Sequence, residues 1–77
     1  MNFLDKLNFL MNKYDINKNV LSKESGIPYT TIDGFYKKGY ENVKLSTIKK
    51  LAEYFDTTLD YLMMDDITDT NYGKLSN

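Results

Sequence analysis

The chain has 77 residues with ten lysines, no arginine and eleven acids, giving a net charge of −1 and a pI near 5.2. That length holds one domain with a small core, and the absence of cysteine and histidine excludes disulfides, thiol chemistry and the usual zinc sites, so no metal is expected. No apolar stretch reaches membrane-spanning length, and Met1 leads into an amphipathic segment rather than a signal peptide, so a soluble cytoplasmic protein is expected.

Residues 3–14 read as a first helix. Phe3, Leu7, Leu10 and Tyr14 recur at helical spacing beside Leu4 and Met11, while Asp5, Lys6, Asn8, Asn12 and Lys13 make the polar side. Phe9 falls at the edge of the apolar face. Asp15 is a turn residue and Ile16 plugs the core. Asn17 suits the N-cap of a second helix over about 18–25, with Val20 and Leu21 as its apolar positions. Gly26 stands where the chain must turn, since glycine accepts the left-handed conformation without a Cβ penalty. Pro28 fits the first turn of a third helix, which runs from Pro28 or Tyr29 to Lys37 with Ile32 and Phe35 inward.

Residues 39–44 form a loop. A fourth helix over about 45–55 places Leu45, Ile48, Leu51, Ala52 and Phe55 on one face, opposite Lys49, Lys50 and Glu53. Thr57 or Thr58 caps a short fifth helix in which Leu59 and Leu62, with Met63 beside them, face the core. After Met64 no period is sustained. The expected organisation is an all-α domain over residues 1–64 and an acidic tail or linker over 65–77. Residues 1–62 hold nine lysines against eight acids, so the negative total comes from the tail.

A short helix with the small residue Ser22, a glycine turn, Ile27 and a second helical run is the grammar of a helix-turn-helix. The set Leu21, Ser22, Gly26, Ile27, Ile32, Phe35 and Gly39, followed by LSTIKKLAEYFDTTLDYLM at 45–63, resembles the Cro/cI-type (XRE-like) helix-turn-helix family. The resemblance covers about residues 3–64 and extends to the N-terminal domain of phage-type repressors. It implies a compact five-helix, lambda-repressor-like fold with the helix-turn-helix in helices 2 and 3. The function it implies is a sequence-specific DNA-binding transcriptional regulator, most commonly a repressor of phage or mobile-element type. The chain departs from the family pattern in places. Ser22 replaces the usual alanine, Pro28 stands where a Ser or Thr cap is common, Gly34 lies inside helix three, and Tyr36 replaces a frequent glutamate.

By the family's geometry the exposed N-terminal residues of helix three, Tyr29, Thr30, Asp33 and Gly34, face base edges. Tyr29 can stack or donate its hydroxyl, Thr30 offers a hydroxyl and a methyl for thymine, and Asp33 can accept from a cytosine amino group. Gly34 has two readings: close approach of the helix to DNA, or drift at an exposed position. Without arginine the commonest bidentate guanine contact is missing, which leaves shape readout and thymine contacts to carry more of the specificity. Asn17 and Lys18 align with family positions that grip phosphates at a helix N-terminus, with Thr31 nearby. Lys37, Lys38, Tyr40, Asn42 and Lys44 form a second phosphate-contacting group, whereas Lys49 and Lys50 read as plain surface.

The implied partner is double-stranded DNA with paired half-sites, bound by a homodimer. Tyr54, Tyr61, Met63 and Met64 either cover the edge of the core or form the two-fold contact. The tail leaves room for a second, dimerising domain beyond it. No cofactor and no enzymatic activity are expected: there is no histidine or cysteine, no phosphate-cradling glycine loop and no nucleophile beside an evident base. Asp65, Asp66 and Asp69 lack the glycine and terminal glutamate of a calcium loop. The acidic pI and missing arginines motivate one rival, a protein-interaction module on the same fold. An antitoxin-type regulator would use the same residues.

Overall fold

The computed structural model describes residues 1–74; the last three residues of the expected tail lie outside the described residues. The described residues contain no strand and form α1 (Phe3–Lys13), α2 (Lys18–Ser25), α3 (Tyr29–Lys38), α4 (Leu45–Tyr54) and α5 (Leu59–Met63). Helix ends fall within about a residue of the sequence expectation, the usual fraying of terminal turns. Asn2 opens α1 with a capping box: its side chain accepts from the Asp5 N–H at 2.8 Å, and the Asp5 carboxylate accepts from the Asn2 N–H at 3.2 Å. Asn17 caps α2 by accepting from the Val20 N–H at 2.9 Å, and Thr58, rather than Thr57, caps α5.

One core joins all five helices. Phe3, Leu7, Leu10 and Met11 of α1 meet Leu21, Ile27, Ile32 and Phe35 from the α2–α3 unit, and Ile48, Leu51, Ala52, Phe55 and Leu62 close it from below. Each fully buried Leu, Ile or Phe contributes roughly 1.5–3 kcal/mol relative to exposure, so this set dominates the stability of so short a chain. Phe3 and Phe35 meet edge to face with centroids 5.5 Å apart, which fixes α3 against α1.

Several residues lie elsewhere than their spacing or type suggests. Lys6, expected on the polar side of α1, is 0 % exposed; its Nζ donates to the carbonyls of Tyr61 and Met64 and lies 4.7 Å from the centre of the Tyr61 ring. The ammonium thereby closes the C-terminal end of α5, whose carbonyls have no helical partner. Burial pushes the Lys6 amine below its ordinary value, opposed by the charges of Asp65 and Asp66. Tyr61, expected to cover an edge or form a dimer contact, is also 0 % exposed, and a wholly buried ring offers no surface to a second copy. Leu45 and Met63, expected to face the core, are exposed, and so is Phe9. Tyr14 sits at the C-cap of α1, half in solvent, with its ring stacked on Phe55 and its hydroxyl donating to the Phe55 carbonyl at 3.3 Å.

Residues 65–74 contain turns but no helix or strand, and they lie against the domain. Ile67 packs on the edge of the core, the Thr57 hydroxyl donates to the Thr70 carbonyl at 2.5 Å, and the Thr58 hydroxyl donates to the Tyr72 carbonyl. Lys74 donates to the Asp56 carbonyl at 2.8 Å and pairs with its carboxylate at 3.3 Å.

Candidate nucleic-acid interface

The α2–α3 corner is built to a narrow tolerance. Gly26 ends α2 in the left-handed conformation at φ 80°, and its N–H donates to the Ser22 carbonyl at 3.1 Å. The Ser22 hydroxyl then donates to the Ile27 carbonyl at 2.6 Å, across the turn. Smallness alone is what the sequence suggests for Ser22; the structure adds a bond that alanine lacks. Ile27, buried directly after the turn, anchors the corner, and Ile32 and Phe35 bury the inner face of α3. What remains outward on α3 is therefore fixed by its inner face.

Two concave regions flank that outward surface. The larger, a cleft of about 540 Å³, runs between α3, the 39–44 loop and the start of α4. It collects Thr30, Thr31, Gly34, Lys38, Asn42 and Lys44 from the sequence candidates. Ser46, Thr47 and Lys50 complete it from α4, a row at helical spacing. Lys50 reads as plain surface in the sequence, and only the path of the loop brings α4 beside α3. The second region, a shallow groove of about 380 Å³, gathers Asn17, Lys23 and Tyr29 on the α2 side. Tyr29 is 42 % exposed and Thr30 is exposed, so the N-terminal end of α3 stands bare to solvent. Tyr40 is placed differently from its expected neighbours: its ring tilts against Phe3, with centroids 5.4 Å apart, and is half-buried.

Both α3 and α4 begin without a side-chain cap, at Pro28 and Lys44, whereas α1, α2 and α5 are capped by Asn2, Asn17 and Thr58. The partial positive charge of a helix start, set beside Lys38, Lys44 and Lys50, makes this side of the cleft attractive to an anion. Thr30 and Thr31 add hydroxyl donors.

Asp33 and Lys18 do not stand free. Asp33 is 17 % exposed in its side chain, and both carboxylate oxygens are engaged: Oδ1 accepts from Lys18 Nζ at 3.1 Å, and Oδ2 pairs with Lys37 Nζ at 2.8 Å. These hydrogen bonds, first from Lys37 and then from Lys18, hold the Asp33 carboxyl below the usual range, and the same pairing pushes Lys37 up. Lys18 Nζ also lies 4.2 Å from the centre of the Tyr36 ring, and the Tyr36 hydroxyl donates to Asn8 Oδ1 at 2.8 Å. Burial pushes the Tyr36 phenol up to about 12. A polar chain thus links α1, α2 and α3 through the middle and last turn of α3.

A glycine-turned α2–α3 corner with a bare outer face beside a lysine- and threonine-lined cleft is the arrangement of a helix-turn-helix. Residues 6–65 match the Cro/C1-type HTH DNA-binding domain family. The chain belongs to that family. No curated protein and no solved structure matches it. The Cro/C1-type match runs from Lys6 to Asp65 and takes in α2 to α5 whole, so the resemblance carried by Leu21, Ser22, Gly26 and the 45–63 segment holds. Among the described residues no helix of this Cro/C1-type domain is long and apolar enough to cross a membrane, and no group of three His, Cys, Asp or Glu could hold a metal ion.

Proposed function

We propose that the protein is a sequence-specific transcriptional regulator of the cytoplasm, a repressor of phage or mobile-element type, which sets α3 in the major groove. The observation that carries this reading is the division of α3. Ile32 and Phe35 are buried, while Tyr29 and Thr30 stand exposed beside the cleft that Gly34 lines. Tyr29, Thr30 and Gly34 meet base edges, and Asp33 lies behind them. Asn17 at the start of α2, and Thr31, Lys38, Asn42 and Lys44 around the cleft, meet phosphates, with Lys50 added from α4. The lack of arginine shifts readout toward thymine methyls and groove shape, so operators tolerant of A·T at contacted positions are expected.

A homodimer on paired half-sites completes the reading. Met63 is 57 % exposed and Met64 is exposed, and Met63 borders a hollow of about 290 Å³ lined by Phe3, Tyr40, Val43, Ile48 and Leu62 together with Glu41 and Asp65. This end of the domain, without Tyr61, is the surface for the two-fold contact.

In vitro site selection, followed by Tyr29→Ala and Thr30→Ala, tests the assignment. Loss confined to particular base positions supports direct readout by α3; an unchanged selected site refutes it. A second reading, a protein-interaction module on this fold, is favoured by the acid–base balance and by the neutralisation of Lys18 and Lys37 at Asp33. Absence of a gel shift at low salt, with random and with native upstream DNA, would select that reading.

A further inference from the structure

We propose that Asp33 is a positioning residue that ties Lys18 and Lys37 together across the α2–α3 corner and so restrains the non-specific attraction of this surface for DNA. The inference rests on the proposed DNA-reading role of α3. Three observations lead to it. The carboxylate uses one oxygen on each lysine, at 3.1 Å and 2.8 Å, so it joins the first turn of α2 to the last turn of α3. Lys18 is held from a second direction by the face of the Tyr36 ring, itself fixed to Asn8, so the ammonium has a defined place. The domain is short of positive charge, with nine lysines against eight acids over residues 1–62, so the state of two lysines beside α3 weighs heavily.

The physical consequence follows from counterion release. Non-specific affinity grows with the number of phosphates that cations neutralise, and the salt dependence steepens by about 0.9 in log–log slope for each. A phosphate that engages Lys18 or Lys37 must compete with a carboxylate that already holds them and that repels the phosphate itself. The pairing weighs most on a random duplex, whose affinity is made of phosphate contacts alone. A seated operator is held by base contacts and by phosphate contacts of Asn17, Thr31, Lys38, Asn42 and Lys44. It therefore depends less on Lys18 and Lys37, and the restraint widens the ratio between the two. Asp33 then acts on specificity without touching a base.

Asp33→Asn keeps the shape of the side chain and removes its charge. Binding of a random-sequence duplex, measured across a salt series, is expected to tighten by about three- to tenfold at low salt, with a log–log slope steeper by about 1. Affinity for the selected operator is expected to rise less, so the specificity ratio falls. In a Lys18→Gln, Lys37→Gln background the same change is expected to lose most of its effect. Thermal melting of Asp33→Asn beside the parent reads any folding defect separately from binding. If the parent binds and Asp33→Asn neither tightens nor steepens, or tightens equally without the two lysines, the restraint is wrong and the DNA-reading role stands. A loss limited to one operator base pair would make Asp33 a base contact instead, also overturning the restraint. If neither protein shifts any duplex at low salt, both readings fall together.

Discussion

Gly34→Ala separates what the fold needs from what DNA needs. Gly34 lies inside α3 without a positive φ, and a Cβ built there meets nothing within 4 Å. Alanine therefore fits the free protein without strain and gains the helix propensity that glycine forfeits, about 0.8–1 kcal/mol. For a domain of this size that corresponds to a rise in Tm of roughly 4–8 °C. The open space into which the methyl projects belongs to the cleft along the outer face of α3. If that face presses against DNA, the methyl holds the helix off the bases, and operator affinity is expected to fall at least about tenfold, equivalent to about 1.4 kcal/mol. Calorimetry for melting and fluorescence anisotropy for binding read the two effects independently. The expected pattern is a more stable protein that binds less well. Higher melting with unchanged affinity would refute close approach at Gly34, and lower melting would refute the open space itself.

Three further outcomes concern the rest of the domain. Lys6→Met keeps the volume of the buried stem but removes the donor from the Tyr61 and Met64 carbonyls; a loss of about 1–3 kcal/mol is expected in urea melts, because unsatisfied acceptors outweigh the relief of desolvating an ammonium. Among the described residues the Tyr61 hydroxyl is buried without a hydrogen-bond partner, so Tyr61→Phe is expected to hold or raise stability by up to about 1 kcal/mol; a clear loss would reveal a partner for that hydroxyl. Tyr36, its phenol held up to about 12 by burial, favours the fold in its neutral form. Its contribution is complete below the ordinary tyrosine value near 10 and is lost as pH rises through about 12. Tyr54 and Tyr61 are raised as well, so absorbance titration is expected to show late tyrosine steps of which Tyr36→Phe removes one. Titration of all seven tyrosines together near the ordinary value would contradict the burial.

Much of this architecture is written in the sequence because its signals are local. Asn17 caps α2, Gly26 turns the chain and Thr58 starts α5, each through groups at most a few residues away. The core of α4 follows from the spacing of Ile48, Leu51 and Phe55. What escapes the sequence depends on partners distant along the chain. Lys6 shares the face of Phe3, Leu7 and Leu10, but its charge argues against burial until α5, 55 residues away, supplies the carbonyls. Tyr61 sits in a helix of five residues, too short for a period to separate core from edge. The Asp33–Lys37 pair has the spacing of neighbouring helical turns, whereas the Lys18 contact depends on how α2 crosses α3. Ser46, Thr47 and Lys50 join the cleft because residues 39–44 return the chain beside α3. The contacts of Asp56, Thr57 and Thr58 with the 65–74 turns involve carbonyls as well as side chains, and composition carries no record of those.

The most direct measurement is a titration of ¹⁵N-labelled protein with the duplex returned by site selection, followed amide by amide. With α3 as the reading helix, the large shifts fall on residues 17–18 at the start of α2, on residues 29–38, and on the loop and α4 start that line the cleft. Shifts confined to α5 and residues 65–74, with the amides of Thr30 and Gly34 unmoved at saturation, would contradict it.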